Sequence, residues 1–405
     1  MRLNISPPGD AYICQNSFPV EFRMRTAVTQ PAQRRTAMSY TVSIAPNVNK
    51  SPYFDATVAD GVAGFAVYNH MYMPTHYGDP EAEYDRLING VAMWDVACER
   101  QVELNGPDAG ILAQYLTPRD ISDAAIGQGK YLPLCDHDGT LINDPILLKL
   151  SETRYWLSIA DSDIYLWVSA IAAERNLAVK IARPDVSPLA VQGPKATDVV
   201  ADLLGDWVRE IKYFWFRETE LDGIPMLVVR SGWSKQGGFE LFLQEGKWGT
   251  ELWSRVKSAG QLYGIGPGAP SDVERIESGL LSFGTDVDEQ TNPYEAGLSQ
   301  YVDLDRDDEF VGKTALREIA GSGIKRRRVG LILSGEKIEQ NPHPYPVRLH
   351  DDDVGTLFET VYSPRLERNI AIALVSVSVS EDGTELLVDT GQEVRTATVT
   401  PLPFC

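Results

Sequence analysis

The chain has 405 residues, 43% apolar, 9% aromatic and 23% charged, which exceeds what one hydrophobic core organises and points to two or three globular domains. Lys and Arg number 37 against 57 Asp and Glu, and the net charge of -20 excludes nucleic acid and anionic membrane as main partners. Such acidity reads first as general solubility.

Cys14, Cys98, Cys135 and Cys405 lie far apart, with neither CxxC spacing nor a neighbouring His cluster. Neither zinc nor a disulfide framework is expected, no metal is assigned, and a reduced, cytoplasmic setting follows. No apolar run approaches the roughly 18 residues of a membrane span. Arg2, Arg23, Arg25, Arg34 and Arg35 come without the apolar core of a signal peptide. Met38 opens a more ordinary start, so residues 1–37 read as an upstream extension, and residues 1–50 are set apart as an extension or disordered arm.

From Gly61 onward, short strand-like runs at 101–104, 146–150, 155–159, 226–230 and 239–243 alternate with helix-like stretches. They do so without a regular βαβ repeat, so the expectation is α+β layers. Helices are expected at 108–116, at 162–175 with Ser162 as cap, and at 195–204. Two of them open on Gly-Pro, at Gly106 and Gly193, a weak hint of two similar subdomains. Gly264-Ile265-Gly266-Pro267-Gly268 follows a helix and contains proline, so it reads as a loop and not a phosphate cradle. Further strands at 329–333, 370–378, 385–388 and 396–400 make a β-rich terminal domain. The basic run Lys325-Arg326-Arg327-Arg328 reads as a charge-protected strand edge before it reads as a polyanion site.

Two segments carry candidate chemistry. In residues 230–241, a strand enters a loop with Gly232, Gly237 and Gly238 that lets backbone approach a ligand, and the exit strand carries Glu240 among apolar neighbours. A carboxylate so placed suits adjacent NH and NH2 donors of an aminopyrimidinone; on this segment alone it reads first as a hairpin carboxylate paired to Arg230 or another cation. In residues 135–145, Asp138-Gly139 marks a tight turn, and Asp144 before Pro145 reads as a buried turn anchor or as a carboxylate aimed into a cleft. Asp136, His137 and Asp138 are consecutive on a turn and do not converge on one ion. A GxSxG elbow and a GxGxxG fingerprint are absent, and His70, His76, His137, His343 and His350 have no companion pattern for nucleophilic catalysis.

In order along the chain stand Met73-Pro74-Thr75-His76-Tyr77-Gly78, Trp94-Asp95-Val96, Leu104-Asn105-Gly106-Pro107-Asp108-Ala109 and Leu189-Ala190-Val191-Gln192-Gly193-Pro194. They are followed by Glu274-Arg275-Ile276-Glu277-Ser278-Gly279, Asn292-Pro293-Tyr294-Glu295-Ala296-Gly297-Leu298, Phe310-Val311-Gly312-Lys313 and Tyr362-Ser363-Pro364-Arg365-Leu366. Over residues 61–405 the chain thereby resembles the folate-binding aminomethyltransferase family, the T-protein of the glycine cleavage system and its relatives. Other phrases, among them Val67-Tyr68-Asn69-His70-Met71, Glu99-Arg100-Gln101-Val102-Glu103 and Ser234-Lys235-Gln236-Gly237-Gly238, are similar to the family's sulfonium-demethylating branch.

The resemblance implies a three-domain, T-protein-like cloverleaf around a central folate cavity. Residues 51–310 would be the folate-binding region of two α+β subdomains, and residues 311–405 a C-terminal β-barrel domain. It implies tetrahydrofolate as cofactor, held by Glu240, Arg275, Glu277 and Tyr131, with Asp144 catalytic beside the reacting nitrogen. A cationic donor would lie on Trp233, Tyr68 or Trp215, its carboxylate on Lys235 or Arg100. The expected reaction moves a methyl group from dimethylsulfoniopropionate to tetrahydrofolate; a betaine or methylated amine as donor, or a non-catalytic folate-binding protein, are the alternatives. Met71-Tyr72 replaces the Trp-Glu of T-proteins, which argues against a lipoyl-carrier substrate, and Trp233 stands where the demethylases have Tyr. The partner is a small-molecule methyl donor and the candidate assembly a homodimer.

Overall fold

Strand-forming runs with apolar residues on both faces build two sheets that pack on each other. The computed structural model describes residues 47–405, so the expected arm at 1–50 lies almost wholly outside the described residues. The first sheet has six strands in the order Phe216–Leu221, Ile224–Val229, Gly238–Gln244, Val186–Gln192, Ala92–Asp95 and Gly266–Gly268. The second has five: Lys180–Ala182, Gln101–Asn105, Arg154–Ser158, Ile146–Ser151 and Gly129–Tyr131. Val186–Gln192 is buried at every position, as a strand covered on both faces must be. One face of its sheet packs on the helices Ala196–Leu204 and Gly249–Ala259 through Val199, Val200, Leu252 and Trp253. The other face meets the second sheet, where Leu148 and Trp156 pack against Leu227, Val229 and Phe242. The helices Ala109–Leu116 and Tyr165–Glu174 close the far side of the second sheet.

The two Gly-Pro entries are built alike. Each follows a strand and opens a helix, with Gly106 at φ 154° and Gly193 at φ 120°. A Cβ at Gly106 would stand 2.2 Å from the Ala178 carbonyl oxygen, and one at Gly193 2.6 Å from that of Gly90, so in both cases a neighbouring backbone occupies the space.

The terminal strands Arg326–Leu333, Arg368–Ser376, Asp352–Ser363, Tyr345–Leu349, Glu385–Asp389 and Val394–Thr400 close into a barrel with its own core of Leu331, Val347, Leu357, Ala373, Val388 and Val399. The short helix Asp272–Glu277, capped by Ser271, ties this barrel to the layers. Arg275, 1% exposed, grips Asp286 (2.9 Å) and Glu359 of the barrel. Glu277, fully buried, accepts from Tyr84 Oη (2.8 Å) and from the barrel's Ser363 Oγ, and pairs with Arg365 (2.6 Å).

Three local expectations are corrected. Ser162 does not cap its helix: its carbonyl accepts from Asn143 Nδ2, and Asp163 Oδ1 accepts from the Tyr165 amide instead. Gly266–Gly268 is not a loop but a strand, parallel to Ala92–Asp95, with Arg86 donating to the Pro267 carbonyl. The basic run is not an exposed edge, because barrel closure pairs Arg326–Leu333 with Arg368–Ser376 while Glu295 takes Arg326 (2.9 Å) and its carbonyl accepts from the Arg328 amide. Arg327 points to solvent, as strand alternation requires, and Lys325 ahead of the strand is exposed as well.

Removing one member of a buried ion pair strands the others. Arg275→Met is therefore expected to cost about 3–5 kcal/mol in urea-melt stability, with the loss seen first in barrel docking by limited proteolysis.

Candidate active site

Where the two sheets and the barrel meet, three carboxyl groups approach one another with little neutralising charge. Glu240 lies mid-strand in Gly238–Gln244, 6% exposed, and the only hydrogen-bond partner of its carboxyl group among the described residues is the Ser231 hydroxyl. Arg230, the alternative partner, donates to the Ile211 carbonyl instead (2.9 Å). Asp144 leaves the strand Leu141–Asn143 and accepts from Tyr131 Oη (3.0 Å). Neighbouring Asn143 fixes that segment by donating to the Ala160 and Ser162 carbonyls (3.1 and 2.9 Å) and accepting from the Ala160 amide. Glu99 sits in the turn ahead of Gln101–Asn105, close enough to Glu240 and Asp144 for their charges to act on it.

Electrostatics follow from burial. Desolvation pushes Asp144 up to about 7, against the opposing pull of the Tyr131 hydrogen bond. Desolvation also raises Glu240, with the Ser231 hydroxyl opposing, and raises Glu99 well above the carboxylate range, with Glu240 and Asp144 adding repulsion. Tyr68 and Tyr131 are raised in the same way and remain neutral hydroxyls. Tyr68 reaches this place through a tight hairpin, Gly64–Tyr68 paired with Met71–His76. Its tip residues Asn69 and His70 both have positive φ (47° and 59°). Asn69 Nδ2 then donates to the Cys98 and Ala160 carbonyls (3.1 and 2.8 Å), pinning the tip beside Glu99 and Asn143.

Asp144, Tyr131, Tyr68 and Glu240 are thus brought together with Glu99, which sequence reading did not single out. No local signal in Ala97-Cys98-Glu99-Arg100 marks Glu99 out, and only the fold brings it, part-buried, beside the others. Other expected residues stand elsewhere. Arg275 and Glu277 are consumed by the ion pairs that hold the barrel. Trp233 donates to the Leu281 carbonyl (3.3 Å), its ring 5.9 Å from the Arg275 guanidinium. Trp215 packs against the first sheet's core. The Lys235 side chain is exposed, its amide donating to Glu274, and Arg100 lies within reach of Asp163, already paired with Arg183.

The glycines at 232 and 238 also have another use. A Cβ on Gly232 would fall 2.0 Å from Gln192 Nε2, and one on Gly238 2.7 Å from the same atom, so the space they leave holds a side chain rather than a ligand. Gln192 donates there to the Ser231 and Phe239 carbonyls and accepts from Ser234 Oγ. It fixes the loop that carries the Ser231 hydroxyl onto Glu240. The Asp136 turn closes on itself, Asp136 accepting from the Asp138 and Thr140 amides.

The raised Asp144 has a sign for stability. Its folded value near 7 lies above its ordinary 3.8, so ionisation costs the fold progressively as pH rises from about 4 to about 7. Asp144→Asn is expected to match wild type near pH 4 and to exceed it by about 2–4 kcal/mol at pH 8, read by urea melts across pH.

Comparison with known proteins accords with this architecture. The family model described as GCVT N-terminal domain matches residues 53–306, and the glycine cleavage T-protein C-terminal barrel domain matches residues 326–405. A dimethylsulfoniopropionate demethylase of Ruegeria pomeroyi is 40% identical over 352 residues, 87% of this chain and 96% of the relative. An aminomethyltransferase of Thermotoga maritima is 31% identical over 365 residues, 88% and 98% of the two chains. The crystal structure of glycine cleavage system aminomethyltransferase T from Bartonella henselae superposes with a TM-score of 0.80 at 23% identity, covering 88% of this chain and 98% of that one, which shows the shared α+β fold. With both halves matched in order, the chain belongs to the folate-dependent aminomethyltransferase family of the glycine cleavage T-protein.

Proposed function

We propose that the protein moves a methyl group from the sulfonium of dimethylsulfoniopropionate to tetrahydrofolate, releasing methylthiopropionate and 5-methyltetrahydrofolate. The observation that carries this is the convergence of Glu99, Asp144 and Glu240 with Tyr68 and Tyr131, Glu240 buried and the other four part-buried. Carboxyls held at such cost fit ligands that bring positive charge or paired N–H donors. The 40% identity to the demethylase favours a sulfonium as that charge.

The fit to the cofactor rests on Glu240. One Ser231 hydroxyl occupies it, leaving most of its acceptor sites for the adjacent NH and NH2 of a reduced pterin. Tetrahydrofolate bound there supplies the nitrogen that takes the methyl group. A neutral thioether leaves, so no side chain has to protonate the leaving group. The chain's own work is positioning and exclusion of water. Tyr68 offers a neutral aromatic face to the sulfonium, and the carboxylates favour a cation entering beside them. Asp144, near neutrality at about 7, accepts the proton released after methylation, with Tyr131 holding its orientation. Arg275 and Glu277 act as positioning residues that hold the barrel in place, not as cofactor contacts.

The donor is a small molecule, and the reaction belongs to the cytoplasm. Among the described residues Cys98, Cys135 and Cys405 are free thiols, and no helix there is long and apolar enough to cross a membrane. The region at 51–310 would carry the folate site and that at 311–405 the barrel that closes it. The homodimer remains the assembly to be read by sedimentation.

With purified protein and tetrahydrofolate, 5-methyltetrahydrofolate is expected from dimethylsulfoniopropionate and not from glycine betaine; product from the betaine alone would overturn the sulfonium assignment. Asp144→Asn is expected to lower kcat about 10²–10⁴-fold with folate binding kept. The wild-type rate is expected to fall as pH drops through about 7, where Asp144 becomes protonated. An unchanged rate in the variant would assign the proton to solvent.

A further inference from the structure

Resting on that reading, we propose that Ser51 is a positioning residue: bonded to the buried carboxyl of Asp95, it holds residues 49–53 as a strap that fixes the hairpin bearing Tyr68. The hairpin needs such a fixture. Its strands Gly64–Tyr68 and Met71–His76 form a two-stranded sheet of their own, outside both layers, and a lone two-stranded hairpin is marginal in water. The strap supplies a further edge. Asn49 forms a parallel bridge with Met71: its amide donates to the His70 carbonyl (2.7 Å), and its own carbonyl accepts from the Tyr72 amide (3.0 Å). Asn49 Nδ2 donates to the His70 carbonyl as well (3.2 Å). Just past the strap, Phe54 lies against Phe65 and Tyr72, one from each strand, with ring centroids 5.1 and 5.3 Å apart.

The other end of the strap is anchored in the first sheet. Ser51 Oγ donates to Asp95 Oδ2, at the end of the strand Ala92–Asp95, and accepts from the Tyr53 amide (3.1 Å). Asp95 is 2% exposed, and among the described residues its carboxyl has that hydroxyl and the Ala97 amide (3.2 Å) as hydrogen-bond donors and no cation. Burial pushes it up to about 6, with both hydrogen bonds opposing. A buried carboxyl served by two donors loses heavily when one is removed, so this contact outweighs an ordinary surface hydrogen bond. Tyr53, fully buried, donates to the Ser187 carbonyl (2.8 Å). Pro52 fills a slot left by glycine, since a Cβ on Gly249 would stand 2.3 Å from the Pro52 carbonyl oxygen. The strap thus carries the position of the first sheet to the hairpin tip, where Tyr68 stands beside Glu99 and Asp144.

The test uses Ser51→Ala, which strands Asp95, Ser51→Thr, which keeps the hydroxyl, and Gly249→Ala, which pushes on Pro52 and leaves Ser51 and Asp95 in place. In hydrogen-exchange mass spectrometry, Ser51→Ala and Gly249→Ala are expected to speed exchange about tenfold over residues 64–76, while residues 345–376 of the barrel keep the wild-type rate. For dimethylsulfoniopropionate, kcat/KM is expected to fall about tenfold through KM, with tetrahydrofolate affinity within about threefold of wild type. Ser51→Thr restores both readouts. Exchange unchanged over residues 64–76, acceleration spread evenly over all segments, or equal losses for donor and folate would overturn the assignment. If Ser51→Ala does not fold, Gly249→Ala decides by the same readouts. If no donor yields 5-methyltetrahydrofolate, the methyl-transfer reading fails by itself, and exchange over residues 64–76 still decides for or against the strap.

Discussion

A full positive charge with 1% of its surface exposed, Arg275, holds the molecule's two architectures together. Its helix has only six residues and would not persist alone. What fixes it is the pair of carboxylates it meets, Asp286 from the loop below and Glu359 from the barrel, reinforced two residues on by Glu277 with Ser363 and Arg365. Buried ion pairs contribute little net stability compared with apolar packing, but they tolerate few alternative geometries.

The remaining constraint is electrostatic. Glu99, Asp144 and Glu240 share a site where desolvation opposes every charge, and side-chain hydrogen bonds tie down the backbone around it. Gln192 locks the loop behind Glu240, Asn143 locks the segment of Asp144, and Asn69 locks the hairpin of Tyr68. Three amide side chains, each bonded to neighbouring backbone, do the positioning that the acids cannot do for themselves. This is the arrangement expected where stability is given up for preorganised chemistry.

How much of this was legible in the sequence divides by physical cause. Strands such as Ile146–Ser151 and Gly238–Gln244 announce themselves because an apolar run has few other stable uses. Glu240 was visible as an acid among apolar neighbours, and Asp144 as an acid at a strand boundary. Glu99 was not, because its enclosure comes from the hairpin tip at Asn69 and from two other strands distant in sequence. The glycines at 232 and 238 were read as openings for a ligand, although their space belongs to Gln192, forty residues or more earlier in the chain. The basic run looked like a guarded edge because one-dimensional reading does not see a barrel close. Once it does, period two turns Arg327 to solvent and puts Arg326 and Arg328 on the other face, where one pairs with Glu295 and the other donates to the Gly279 and Leu280 carbonyls.

The crowded acids also make the site a reservoir of hydrogen ions. Carboxyls raised by burial hold protons at pH values where free side chains would have shed them. A cation that settles among them takes the place of those protons, so ligand entry amounts to ion exchange, with acid expelled to the medium. Affinity for any onium compound is thereby coupled to the buffer around the protein. On the proposed reading, the side chain that accepts a proton is emptied by the arrival of the molecule whose reaction produces one.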